Sequence, residues 1–156
     1  MAIRTQFWQT MILAAAGTAL LGAPAHAAPK VALGSAVYVE KAQGDDVRRL
    51  EPASQLSRGD RVVTIVTWRR LGGPNGGNGG GFTVTNPLPR SVYFQRSAND
   101  DEEVSADGGR SWGRIGALRY GARLATPEDV THLRWRVTAD RAAAGRGQIA
   151  YSGIVR

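Results

Sequence analysis

Apolar and polar residues alternate along much of the chain with the two-residue period of β-strands. From Val31 to Val39 the odd positions Val31, Leu33, Val37 and Val39 are apolar and only Ser35 interrupts, which predicts a strand with one buried face. Arg61 to Arg69 carries Val62-Val63-Thr64-Ile65-Val66-Thr67-Trp68, apolar on both sides as a central strand would be. Phe82-Thr83-Val84-Thr85 and Val92-Tyr93-Phe94 are shorter β-branched and aromatic runs. Between them lies Asn86-Pro87-Leu88-Pro89, whose prolines cannot donate to a ladder and so mark a turn or a crossing between sheets. Leu133, Trp135 and Val137 alternate with Arg134, Arg136 and Thr138, predicting a half-buried strand with its arginines in water. Ile149, Tyr151 and Val155 close the chain in the same manner.

Turn signals separate these runs: Gly44-Asp45, Arg58-Gly59-Asp60, Asp107-Gly108-Gly109 and Ala144-Gly145-Arg146-Gly147. Residues 72–81, Gly72-Gly73-Pro74-Asn75-Gly76-Gly77-Asn78-Gly79-Gly80-Gly81, hold no side chain able to pack and predict a flexible glycine-rich loop. Helical periodicity over ten or more residues is absent beyond the N-terminal segment. Many short strands at this spacing predict an all-β fold, an immunoglobulin-like antiparallel β-sandwich of seven to eight strands. A small barrel is the alternative.

The N-terminal residues change the picture of where this domain works. A basic start with Arg4, an apolar stretch from Met11 to Ala23 and the triplet Ala25-His26-Ala27 predict a cleavable signal peptide over residues 1–27. The stretch is broken by Gly17, Thr18 and Gly22 and is too short to span a bilayer. Residues 28–156 then form one domain in the periplasm or the medium, with no transmembrane segment in the mature chain. Cysteine is absent, which argues against a disulfide-stapled scaffold and removes a lipid-modified cysteine. Without Arg4, 19 basic side chains stand against 13 acidic ones, a formal +6 spread singly or in pairs such as Arg48-Arg49 and Arg69-Arg70. Nucleic acid is not an expected partner of an exported chain with this scatter, whereas anionic envelope polymers are compatible with it.

Candidate chemistry is sparse. Beyond the leader one histidine remains, His132, which cannot form a zinc site without further ligands nor complete a serine triad where no Gly-x-Ser-x-Gly elbow exists. The glycine tract runs into Phe82 and a strand, not into the Gly-Lys-Ser/Thr and helix of a phosphate loop. Asn99-Asp100-Asp101-Glu102-Glu103 has the hard oxygens that calcium takes but lacks alternating ligand spacing, so it reads as a solvated acidic turn. Ser105-Ala106-Asp107-Gly108-Gly109-Arg110-Ser111-Trp112 resembles the Asp-box hairpin of sialidase propellers, Ser-x-Asp-x-Gly-x-Thr-Trp, with serine for threonine. In that hairpin the Asp binds turn backbone and the Trp packs beneath, a structural device; a propeller needs several such blades.

Leu56-Ser57-Arg58-Gly59-Asp60-Arg61-Val62-Val63, Thr83-Val84-Thr85-Asn86-Pro87-Leu88-Pro89 and the closing strands together resemble the bacterial conserved-repeat domain called domain of unknown function eleven. Ser57-Arg58 stands where that family usually has proline, and Trp68-Arg69-Arg70-Leu71 with the glycine tract replaces its Thr/Ala-Asn-x-Gly loop. The resemblance implies an immunoglobulin-like sandwich in the cell envelope, with no enzyme activity and no assigned binding residue. Asp60, Asn86, Pro87, Pro89, Asp107, Gly109, Trp112 and Trp135 are accordingly expected to be structural, with no catalytic, cofactor or metal site. The expected role is a non-enzymatic interaction, structural or adhesive module of the envelope, bound to an envelope protein or to itself. The alternative is an anionic glycan-binding protein using arginines beside exposed Tyr93 or Tyr120.

Overall fold

The computed structural model describes residues 30–42, 47–71 and 80–156; the leader, the Gly44-Asp45 turn and residues 72–79 of the glycine tract lie outside the described residues. The strands run in the order β1 (Val31–Ala42), β2 (Arg48–Pro52), β3 (Arg61–Arg70), β4 (Phe82–Pro87), β5 (Val92–Ser97), β6 (Glu103–Ser105), β7 (Arg119–Tyr120), β8 (Arg123–Leu124), β9 (His132–Val137) and β10 (Arg146–Val155). Five of them form a first sheet in the order β2-β1-β3-β10-β5, and three form a second in the order β4-β9-β6. β7 and β8 make a separate two-residue hairpin. Every pairing is antiparallel. The only α-helix among the described residues is Ala139–Ala143, one short stretch at the crossing from β9 to β10.

The two sheets face one another as a sandwich. Val62, Val66 and Trp68 of β3, Phe94 of β5, and Ile149, Tyr151 and Val155 of β10 share one core with Val84, Val104, Leu133, Trp135 and Val137 of the second sheet. Trp135 stacks on Tyr151 across the interlayer space at 5.7 Å between ring centroids, and Trp68 meets Phe82 edge-on at 5.2 Å. These contacts place β9 over β10 and β4 over β3. The crossing from β4 to β5 falls on the segment with Pro87 and Pro89, and there the Leu88 amide still bonds the Thr131 carbonyl. β3 is central, as its apolar run predicts, with its even positions in the core and Val63 and Ile65 half-buried on the outer side.

Two features depart from the alternation read in the sequence. β1 was expected to bury its odd positions, yet only Val39 is buried, while Leu33 is 55% and Val37 42% exposed. These side chains do point to the core side, because Leu33 pairs with Trp68 and Val39 with Val62. The second sheet has three strands against five and stops short of them. In β5 the register shifts by one residue, since Ser152 pairs with Arg96 but Gly153 with Phe94, leaving Gln95 extra. This bulge reverses the parity of the strand and turns Ser97 inward, where its hydroxyl accepts the Trp135 indole N–H at 3.1 Å.

Candidate functional site

The Asp-box segment forms the tight turn that follows β6. Asp107 Oδ1 accepts the Arg110 and Ser111 amides at 3.0 and 2.9 Å, and the Ser105 hydroxyl donates to the same oxygen at 2.8 Å. Ser111 fills the usual threonine position, its hydroxyl donating to Asp107 Oδ2 at 2.6 Å. These donors, the Ser111 hydroxyl first, hold the Asp107 carboxyl well below the usual carboxylate range. Gly108 and Gly109 both have positive φ, 78° and 89°, which the turn requires. The Trp112 indole N–H donates to the Gly109 carbonyl at 2.9 Å, and a bridge between Val104 and Gly113 closes the hairpin. The Arg134 guanidinium lies 4.5 Å from the Trp112 ring centre and bonds Glu103 at 2.8 Å, which lowers the Glu103 pKa. All of these bonds are internal, so the motif braces the outer side of the second sheet.

The other singled-out residues also serve the frame. Asn86 donates from Nδ2 to the Tyr151 hydroxyl at 2.8 Å, tying β4 to β10 across the core. Burial pushes the Tyr151 phenol up, against hydrogen bonds with Thr64 and Asn86. Asp60 accepts the Ser57 amide at 2.8 Å and lies 3.7 Å from the Lys41 ammonium, while its carbonyl receives the Val155 amide at 2.9 Å. The turn before β3 is thereby fastened to the end of β10. Pro89 closes the turn into β5 by accepting the Val92 amide at 2.9 Å.

Among the described residues, groups able to move protons do not converge. The His132 ring is 3.1 Å from the Thr131 hydroxyl and packs edge-on against Trp112 at 6.4 Å. The acidic run splays apart: Asp101 pairs with Arg141, Glu103 with Arg134, and Glu102 is buried. Among the described residues no three His, Cys, Asp or Glu side chains gather as metal ligands. An open groove of about 660 Å³ crosses β1, β3 and β10, lined by Leu33, Thr67, Trp68, Arg69, Arg146 and Gln148 among others, with no acid or histidine. Arginine lies over both tyrosines named for glycan recognition, Arg156 at 4.1 Å from Tyr93 and Arg123 at 5.4 Å from Tyr120. Arg123 is also spent on Asp129, with two bonds of 2.6 and 2.7 Å.

What the structure leaves open is a margin of the sandwich. β4 is the edge of the second sheet on the side of β1. The Leu88 amide bonding the Thr131 carbonyl sets the parity of the β4 and β9 ladder, so Phe82, Val84 and Asn86 face β9 with their backbone groups. The N–H and C=O groups of Thr83 and Thr85 therefore point away from the sheet. Beside that edge lies the uncovered row of β1, Leu33 and Val37. Among the described residues nothing pairs with that edge, and a free ladder next to an apolar floor is the geometry that accepts an added strand. Sequence reasoning picked Leu33 and Val37 as core, because alternation marks which side a residue faces and not whether another layer reaches it.

Comparison with known proteins finds no family model that matches the chain, and no curated protein or solved structure that does. Among the described residues no helix is long and apolar enough to cross a membrane.

Proposed function

We propose that this chain is a non-enzymatic β-sandwich module, exported to the periplasm or the medium and akin to the conserved-repeat envelope domains, that binds a protein partner along the open margin of its sandwich. One observation carries the reading: the free edge of β4, with the Thr83 and Thr85 backbone groups unpaired by β9, runs beside the exposed apolar side chains Leu33 and Val37. The complementary partner is an extended segment whose apolar residues alternate, one set entering over β1 while its backbone continues the second sheet. The sparse acid–base inventory and the scattered carboxylates support a binding role over catalysis. The arginines beside Tyr93 and Tyr120 are stacked on those rings, and Arg123 is also bonded to Asp129, so they lend the anionic-glycan reading no support.

The test is site-specific photo-crosslinking in cells that export the chain, with the reactive group at Val37 or, as a control, at the exposed Arg90. A discrete protein adduct at Val37 and none at Arg90 is the expected result. Equal capture at both sites, or none at either, would remove the basis for the proposal.

A further inference from the structure

At the edge of the first sheet just beyond β1, every residue of β2 is exposed. The Ala53 amide bonds the Val37 carbonyl, which sets the ladder parity: Arg49 and Glu51 turn their backbone groups to β1, while Arg48, Leu50 and Pro52 turn theirs outward. The charges along this strand are poorly served within the chain. Arg49 pairs across the ladder with Lys41, a like charge, and Lys41 itself is bound to Asp60. Glu51 lies across from Val39. Neither the Arg49 nor the Glu51 side chain makes an ion pair or hydrogen bond among the described residues, although Arg48 on the other face is paired with Glu40.

We infer that a second copy of this chain completes the edge, β2 against β2, about a two-fold axis through Leu50. Antiparallel pairing centred there sets Arg49 directly opposite Glu51 of the second copy, twice over, and Leu50 against its equivalent. Arg49 and Glu51 then form the closer, non-hydrogen-bonded kind of pair, where opposite charges interact best. Four backbone bonds close: two between the Leu50 residues, and two from the Arg48 amides to the Pro52 carbonyls. Pro52, which has no N–H, ends the ladder and fixes its length. The axis stands normal to the sheet and places both second sheets on the same side. They do not collide, because each ends near β3, and the two β3 strands lie five strand spacings apart, roughly 24 Å. The joined sheet leaves a trough floored by Leu33 and Val37 of both copies.

This surface is distinct from the β4 margin, so the two proposals fail separately. Sedimentation velocity of the exported chain over a range of concentrations is expected to show a monomer passing to a dimer. Arg49→Glu and Glu51→Arg each set like charges opposite one another and should weaken the dimer by about tenfold, while the two together restore it. Leu50→Pro removes an outward N–H without touching the ladder to β1 and should abolish it. Circular dichroism confirms that each variant remains folded. A wild type that stays monomeric up to about 1 mM, a dimer indifferent to the single reversals, or a double variant without recovery would each overturn the inference. A monomer that still yields the Val37 adduct would overturn this inference alone and leave the strand-addition reading standing.

Discussion

Two side chains show how much single polar contacts carry here. Ser97 is 3% exposed and is the acceptor for the Trp135 indole N–H. Ser97→Ala strands that donor in the core and is expected to cost about 1–3 kcal/mol, read from urea unfolding. Asp107 acts through charge, and its folded carboxyl lies well below its ordinary value of 3.8. A depressed folded pKa favours the ionised form in the native state, so this contribution is complete above the unfolded value. It is lost as pH falls below about 4 toward the folded value. Asp107→Asn should therefore lower stability at neutral pH and flatten the acid limb of the stability curve between pH 5 and about 2, with melting temperature against pH as the measurement. The Asp-box was legible because the partners of the Asp107 carboxylate all lie within four residues of it. The Asn86 bond to Tyr151 spans 65 residues, and nothing in the local pattern around Asn86 points to it.

Among the elements, the strands with the strongest alternation, β9 and β10, have the faces their sequence predicts, with Leu133, Trp135 and Val137 in the core and Ile149, Tyr151 and Val155 behind them. β10 also shows why glycine interrupts an otherwise apolar face. The Trp68 ring crosses over Gly147, and a Cβ there would stand 2.5 Å from Trp68 Cζ2. Gly147→Ala should force the ring or the strand to move, at about 1–3 kcal/mol, while leaving the far-ultraviolet spectrum of the sheet intact. β5 is the element that alternation misreads. Its extra residue Gln95 has no compositional mark, because a bulge is defined by the partner strand and not by the residues that form it. Removing Gln95 should leave Arg96 opposite Ser152 and Ser97 opposite Tyr151 in regular pairing, so Ser97 should stay inward and Trp135 fluorescence should be unchanged.

At the scale of the molecule, the widths of the two sheets matter more than any one strand. A five-stranded layer over a three-stranded one leaves β1 and β2 as an overhang. Leu33→Thr together with Val37→Thr is expected to change unfolding free energy by no more than about 0.5 kcal/mol, since no second layer among the described residues covers them. Val66→Thr on the neighbouring strand lies under the second sheet and should cost visibly more, because it buries an unpaired hydroxyl. Equal losses at the two places would mean that the overhang is covered in solution, by a partner or by another part of the chain.

The period-two pattern, the turn residues and the two prolines were enough to specify an all-β chain of antiparallel strands and, outside the bulged β5, to mark which side chains face inward, because side-chain direction in a regular strand is a local property. Packing settled the rest. Which strands neighbour one another, where Gln95 shifts the ladder, which carboxylates stay apart and how far the second sheet extends over the first depend on contacts between residues distant in sequence. The same alternation that buries Trp135 therefore leaves Leu33 in water, since burial requires a second layer and the periodicity of one strand carries no information about the width of another.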